Sequence, residues 1–441
     1  MKNKILVIGS GAREHAILRA LDRSPQDKEI YCLVSNMNPG IAELCDEILI
    51  GNFNDSEFVV NYAKEVDATL AIIGPENPLA NGVADALWEA GVKVVGPKKD
   101  LAQLETSKAF TRDLLKEYDI PGGPKYQTFN SINGVADFLN ILGENYVVKY
   151  DGLAGGKGVK VSGDHLHSHE EALAYCQELV DKNGEFVIEE KFIGEEFSLM
   201  SFCDGNTLKH MPAVQDHKRA YEGDTGPNTG GMGTYSDANH SLPFLSDDDI
   251  MEAYEINIKT AKAVKDKFGE GYKGILYGGF MATSTGIKLI EYNARFGDPE
   301  AMNILSLLES DFIDICNGIA DGNLKNIDVQ FANKATVCKY AVPEGYPGNP
   351  VKGEPIDISK IVNPDGLFYA SVDIQNGQLV EAGSRTVAVV GIADTISDAE
   401  KIAEKEVSSI GGPLFHRKDI GTDSVIQKRI DHMNQLKRES V

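Results

Sequence analysis

The stretch Glu291-Tyr-Asn-Ala-Arg-Phe-Gly-Asp-Pro-Glu300 holds residue types that can handle a phosphorylated ligand through a cation. It follows the apolar alternation Ile287-Lys-Leu-Ile290, which predicts a strand. Side chains on a strand repeat every second residue. Glu291, Asn293 and Arg295 are therefore expected on one face, continuing the Ile287/Leu289 row. A carboxylate and an amide oxygen two residues apart can hold one hard cation such as Mg²⁺ or Mn²⁺. An arginine next in the row can grip a carboxylate or phosphate bidentately. The combination points to metal-assisted phosphate chemistry, although a strand end with solvated polar residues has the same letters.

Four more segments carry chemistry. In Lys149-Tyr-Asp-Gly-Leu-Ala-Gly155-Gly-Lys157-Gly158, closely spaced glycines let backbone approach a ligand, and Lys149 and Lys157 bracket the loop. The P-loop pattern fails, because Gly158 stands where Ser or Thr is needed. Strands on both sides instead predict a flexible hairpin covering a triphosphate. In Gly9-Ser-Gly11-Ala-Arg13-Glu14-His15, a strand–glycine–helix turn points backbone N–H groups at an anion. Glu14 occupies the position where a dinucleotide site needs a small residue, so a different phosphate is expected. Glu189-Glu190-Lys191-Phe192-Ile193-Gly-Glu195-Glu196 can offer backbone bonds to a purine edge and a carboxylate to ribose. Gln215-Asp216-His-Lys218-Arg219 and Asp224-Thr225-Gly-Pro-Asn228-Thr229-Gly230-Gly-Met-Gly233 form a long polar stretch without periodicity, and such loops are usually functional or disordered.

These segments must be positioned by a larger frame. Residues 1–102 alternate strands (5–8, 30–34, 69–73, 92–95) with helices (14–21 and one running to Ala90), predicting a doubly wound parallel sheet. Residues 103–330 begin with a helix over 106–118. A compact lid module at about 124–192 follows, then a helix over 247–268 and a hairpin of 275–281 with 287–293. Residues 331–441 read as a smaller α+β domain with strands at 336–342, 368–374 and 387–392 and a helix over 395–409.

Composition narrows the class. A chain of 441 residues exceeds one core and implies several domains. The net charge of −24 argues against nucleic-acid binding, which needs a basic footprint, and against an anionic membrane surface. Six cysteines without a Cys-x-x-Cys pair fit free thiols in a reducing cytosol. The N-terminus offers no signal peptide and no stretch approaches a membrane span. A cytoplasmic protein, a monomer or weak oligomer, is expected.

Taken in order, the blocks at 149–158, 215–219, 224–233 and 295–300 resemble the phosphoribosylamine–glycine ligases (glycinamide ribonucleotide synthetases) of the ATP-grasp superfamily. The resemblance spans essentially the whole chain, from Gly9–His15 to Arg417-Lys-Asp-Ile-Gly421. It implies a pre-grasp domain, an ATP-grasp domain with a mobile lid and a C-terminal α+β domain. It also implies joining of glycine to 5-phosphoribosylamine through glycyl phosphate, at the expense of ATP with Mg²⁺ or Mn²⁺. Carried over by motif, Lys108, Lys149 and Lys157 contact the ATP phosphates beneath Gly155, Gly156 and Gly158. Glu190, Lys191, Phe192 and Ile193 frame adenine, and Glu196 takes the ribose. Glu291 and Asn293 hold the metal. Arg295, Lys157 and Asp216 act in catalysis, and Asp216, Lys218, Asp224, Thr225, Asn228, Thr229, Gly230 and Arg295 hold glycine and the reacting phosphoryl group. Gly9, Gly11, Arg13, Glu14, Asn38, Gly40, Gly74, Pro75 and Glu76 receive phosphoribosylamine. The sequence departs from the family pattern at Tyr150, Gly155, Ala301-Met302, Pro350 and Tyr369-Ala-Ser-Val372.

Overall fold

A computed structural model describes residues 2–155 and 158–439. Gly156 and Lys157, expected over the triphosphate, lie outside the described residues.

The N-terminal sheet is parallel, with spatial order Glu47–Ile50, Lys28–Val34, Asn3–Ile8, Leu70–Ile73, Lys93–Val95. Ile5-Leu-Val-Ile8 and Leu70-Ala-Ile-Ile73 are buried throughout, as strands covered on both faces must be. Strand order reverses between Asn3–Ile8 and Leu70–Ile73. In open α/β sheets ligands enter at such a switch, beyond the carboxyl ends of the strands. The loops after these two strands are Gly9–Gly11 and Gly74–Pro75. The single helix expected up to Ala90 is instead two, Glu76–Ala80 and Val83–Glu89, separated at Gly82, whose φ of 81° no helix interior admits.

The lid is an antiparallel sheet in the order Tyr126–Phe129, Phe186–Glu190, Tyr146–Tyr150, Val159–Val161, backed by helices Val135–Leu142 and His169–Asp181. Phe129, Leu139, Val148, Cys176, Phe186 and Ile188 give it a hydrophobic core of its own. A much larger core runs continuously through the N-terminal sheet, the second antiparallel sheet and the C-terminal sheet. The second sheet has the order Leu208–His210, Gly194–Asp204, Lys273–Thr283, Gly286–Asn293, with helix Asp247–Phe268 against its last two strands.

The polar stretch 215–235 is not structureless. It contains strands Gln215–Asp216, Arg219–Tyr221, Thr225–Asn228 and Gly233–Ser236, each too short to display alternation. The first and last join the C-terminal strands Ala335–Pro343, Val387–Ala393 and Leu367–Tyr369 in one sheet, and the middle two form a hairpin. The strand expected over 368–374 splits into Leu367–Tyr369 and Val372–Gln375, which belong to different sheets. The sequence reading has no helix after 409, yet Asp423–Glu439 is one. Only Ile426 and Met433 of that helix are fully buried, a stripe too thin to stand out by periodicity. All six cysteines are free. No helix among the described residues is long and apolar enough to cross a membrane.

Candidate active site

Strand Gly286–Asn293 pairs with Lys273–Thr283 in a register that places Leu289 opposite Phe280 and Glu291 opposite Gly279. Two neighbours on one strand thus face residues two apart on the other, and Ile290 is the extra residue of a β-bulge. The bulge overturns the expected face. Phe280 and Gly279 point to opposite sides of the sheet, so Leu289 and Glu291 do as well. Ile287, Leu289 and then Tyr292 face the core. The Tyr292 hydroxyl donates to Asn257 Oδ1 at 3.0 Å and meets Thr260 Oγ1 at 2.9 Å on the long helix. Glu291 and Asn293 share the other face. The strand ends at Asn293, so Arg295 leaves the row.

The Glu291 carboxylate makes no hydrogen bond or ion pair to another described residue. Burial works against its charge, but Lys218, Lys149, Lys108 and Arg295 outweigh that and hold its pKa below the usual carboxylate value. A carboxylate without a protein partner amid cations is suited to a ligand-borne group. Asn293 lies two residues on, and its amide satisfies its neighbours with the nitrogen turned toward the Tyr292 carbonyl (3.3 Å) and Glu105 Oε1 (3.2 Å). No cluster of three or more His, Cys, Asp or Glu among the described residues is arranged to hold a metal alone. One carboxylate and one amide oxygen fit Mg²⁺, which takes its remaining ligands from water and substrate phosphates.

The bulge also sets the cations. The Ile290 carbonyl accepts from Arg112 Nη2 at 2.6 Å and from Lys149 Nζ at 3.1 Å. Arg112, on helix Lys108–Glu117, grips Glu189 on the lid at 2.8 and 3.1 Å, and Lys149 pairs with the same carboxylate. All three side chains are buried. Burial would raise the Glu189 pKa, but Arg112 and Lys149 prevail and lower it. Burial lowers that of Lys149 despite Glu189. Lys108 Nζ donates to the Gly152 carbonyl at 2.8 Å. Asp151 accepts from the Lys108 and Ala109 amides and, at 3.0 Å, from Ser107 Oγ. The glycine loop is thereby tethered to the free N–H groups of a helix start.

Arg295 faces the N-terminal side. Its Nη2 lies 2.9 Å from Glu105 and its Nε 3.4 Å from Glu76. Glu105 also accepts from the Ala294 amide at 2.7 Å. Burial raises the Glu105 pKa against the pull of Arg295. Glu14 crosses the switch point: Cβ atoms at Gly9 and Gly74 would lie 2.6 and 1.9 Å from its side chain. Its carboxylate accepts from the Gly11 amide at 2.6 Å and from Arg13 Nε at 2.7 Å, so it sits at the helix start where an anion was expected. Arg13 Nη1 donates to the Phe296 carbonyl at 3.3 Å. Asn38 is occupied. Its Oδ1 caps the following turn, and its amide nitrogen donates to the Ser10 and Tyr369 carbonyls at 3.0 Å each. Gly40 leaves room for His15 and Tyr369 to stack.

On the other side, Lys218 pairs with Glu196, the expected ribose ligand. Burial opposes the Lys218 charge, but Glu196, Glu291 and Asp216 raise its pKa. Burial and the nearby Glu300 carboxylate push Asp216 well above its ordinary value. The Tyr277 hydroxyl donates to Glu300 at 2.8 Å. Thr229 Oγ1 donates to the Lys218 carbonyl at 2.9 Å. Arg385 reaches in from the C-terminal domain to the carbonyls of Gly230 (2.7 Å), Gly231 (3.1 Å) and Asp298 (2.9 Å). Asp224 lies apart with Arg417 at 2.9 Å and Arg429, and Thr225 and Asn228 are exposed on the hairpin. Glu190, Lys191, Phe192 and Ile193 line a cavity of about 390 Å³ with Lys125, Asn145 and Lys288.

The structure therefore brings together Lys108, Lys149, Asp216, Lys218, Glu291, Asn293 and Arg295, and sets Asp224, Thr225 and Asn228 aside. Sequence reasoning passed over Arg112, Glu105, Glu189, Glu300, Tyr277 and Arg385. Glu189 and Glu300 stood inside the quoted blocks. Arg385 belongs to none, and no local signal marks it.

Three family profiles match in sequence: Phosphoribosylglycinamide synthetase, N domain, over residues 3–105; its ATP-grasp (A) domain over residues 106–301; and its C domain over residues 336–423. The chain is 52% identical over 434 residues to the phosphoribosylamine–glycine ligase of Methanosarcina barkeri, covering 98% of this chain and 100% of that one. It is 51% identical over 445 residues to that of Methanocaldococcus jannaschii, covering 99% and 100%. Among solved structures, the phosphoribosylamine–glycine ligase of Thermotoga maritima superposes with a TM-score of 0.81 at 28% identity, covering 94% of this chain and 99% of that one. The biotin carboxylase domain of Hydrogenobacter thermophilus 2-oxoglutarate carboxylase shares the fold, with a TM-score of 0.72 at 16% identity. Matched end to end by profiles, relatives and architecture, the chain belongs to the phosphoribosylamine–glycine ligase family.

Proposed function

We propose that this chain joins glycine to 5-phosphoribosylamine with ATP, releasing glycinamide ribonucleotide, ADP and phosphate. The observation that carries this reading is Glu291, a carboxylate without a partner among the described residues, set amid Lys108, Lys149, Lys218 and Arg295. Such an arrangement fits phosphoryl transfer, which depends on positioning and charge neutralisation more than on a protein nucleophile. Lys108 and Lys149 neutralise the ATP phosphates, and the 190–193 segment frames the base. Glu291 and Asn293 would hold Mg²⁺ or Mn²⁺, which would supply neutralisation of charge on the ATP phosphates. Lys218 and Arg295 orient the glycine carboxylate for attack on the γ-phosphoryl group. The acyl phosphate so formed is open to water, and a lid with its own core can close over it. The amine of phosphoribosylamine, held at the switch point by the loops after Ile8 and Ile73, then displaces phosphate. The parts are 1–102, 103–330 and 331–441, with the glycine-side strands shared across the last division. A cytoplasmic setting suits this chemistry.

ADP release is measured with Mg-ATP and each co-substrate alone and together. Turnover is expected only with glycine and phosphoribosylamine both present. Full turnover with β-alanine but not glycine overturns the assignment.

A further inference from the structure

Helix Ala12–Asp22 carries Arg19, and Arg23 follows one turn on as its C-cap. At a spacing of four the two side chains share a face, where like charges destabilise one another. Neither guanidinium pairs with a carboxylate among the described residues, although the chain has 67 Asp and Glu against 43 Lys and Arg. Their partners are neutral. Arg19 donates to His15 Nε2 at 3.2 Å and to the Pro364 and Asp365 carbonyls, and it lies over the Phe368 ring. Arg23 donates to the Leu305 carbonyl at 2.6 Å. A guanidinium has five N–H donors, so both keep donors to spare. Burial lowers the pKa of each, and the nearby carboxylates, Asp365 and Glu43 for Arg19 and Asp22 for Arg23, offset it only in part.

The spare donors line a cavity of about 150 Å³ between this helix, the end of helix Glu300–Leu307 and the C-terminal sheet. Ser306 and Asn363 also line it, and neither side chain hydrogen-bonds another described residue. Phe368, Val390 and Ile392 supply an apolar wall, and Asp365 is the one carboxylate in the lining. The space suits a tetrahedral oxyanion and is too small for a whole nucleotide, whose sites run to about 300–1,000 Å³.

We propose that this cleft is a binding site for a phosphate dianion, free or as the head of a phosphomonoester, held by Arg19 and Arg23 with Ser306 and Asn363. The anion relieves the repulsion between the two arginines and joins the N-terminal helix to the C-terminal domain. No residue of the cleft belongs to the machinery placed around Glu291, so the inference stands apart from the reaction.

Calorimetric titration of the full chain, with Mg²⁺ and a non-hydrolysable ATP analogue in excess, uses inorganic phosphate in one arm and glycerol 3-phosphate in the other. Arg23→Gln should weaken binding by about tenfold or more while leaving kcat in phosphate-free buffer unchanged. Asp365→Asn should tighten it by about twofold or more and guards against a folding artefact. Similar affinity in the two arms means that the dianionic head alone is read; a preference for the ester identifies a monoester as the occupant. Binding by Arg23→Gln within about twofold of wild type, or no binding to wild type at about 10 mM of either probe, overturns the proposal.

Discussion

Glu189→Gln tests how the lid is held to the rest of the site. The carboxylate faces two buried cations, Arg112 at 2.8 and 3.1 Å and Lys149. The amide offers one acceptor oxygen and no charge. Breaking a buried pair from one side costs about 3–5 kcal/mol, because the remaining charge stays desolvated. Lys149 has an escape, which is to release its proton. From an unfolded value near 10.4, that costs about 4 kcal/mol at pH 7.5 and about 1 kcal/mol at pH 9.5. The expected loss is thus about 3–4 kcal/mol at pH 7.5, shrinking as pH rises. Hydrogen exchange of strands Tyr146–Tyr150 and Phe186–Glu190 reads the local opening energy in both proteins across this range. The alkaline limb of kcat/KM should also move to lower pH, since Lys149 loses the carboxylate that supports its charge. A loss below about 1 kcal/mol at pH 7.5, or a loss that does not change with pH, refutes the reasoning.

Three further outcomes follow from the same geometry. Glu291→Gln should lower kcat/KM by about 100-fold or more with an unchanged circular dichroism spectrum, and near-normal activity at ordinary Mg²⁺ removes the metal role. Gly74→Ala puts a Cβ 1.9 Å from Glu14 Oε1. It should cost about 2 kcal/mol in thermal unfolding and raise KM for phosphoribosylamine but not for ATP; an unaltered phosphoribosylamine KM contradicts it. His210 is pushed down to about 4 by burial. The unfolded chain therefore binds that proton first, and the stability His210 contributes is complete above about pH 6.5 and falls as pH drops toward 4. In urea unfolding, His210→Asn should flatten the pH dependence between pH 6 and 5 by up to about 1.4 kcal/mol per unit; parallel curves for the two proteins exclude this.

Long periodic elements were legible in the sequence. Helix Asp247–Phe268, strand Phe186–Glu190 and the parallel N-terminal strands carry their signal in apolar spacing. The identities of Glu291 and Asn293 were legible too, but their direction was not. The bulge at Ile290 arises from pairing with Gly279 and Phe280, and no local pattern of the strand announces an extra residue. Lys108, Lys149, Lys218 and Arg295 were legible, while Arg112 and Arg385 were not. Arg112 is 77 residues from Glu189, and Arg385 is 155 from Gly230. Such pairs exist only once distant parts of the chain have met. The 215–235 segment defeated periodicity because its strands span two to four residues.

The bulge makes the site depend on a count of residues rather than on their kinds. Were Ile290 paired as an ordinary strand residue, the alternation would carry the Glu291 carboxylate onto the Leu289 face, toward Asn257 and Thr260, and turn Tyr292 into the cleft. No substitution at Glu291 or Asn293 can restore the arrangement, because the error would lie in phase. Deletion of Ile290 itself would keep Glu291 opposite Gly279 and on the cleft face, and would remove the carbonyl that accepts from Arg112 and Lys149. In redesigning this scaffold, the pairing of Leu289 with Phe280 and of Glu291 with Gly279 must be held fixed before any side chain is varied.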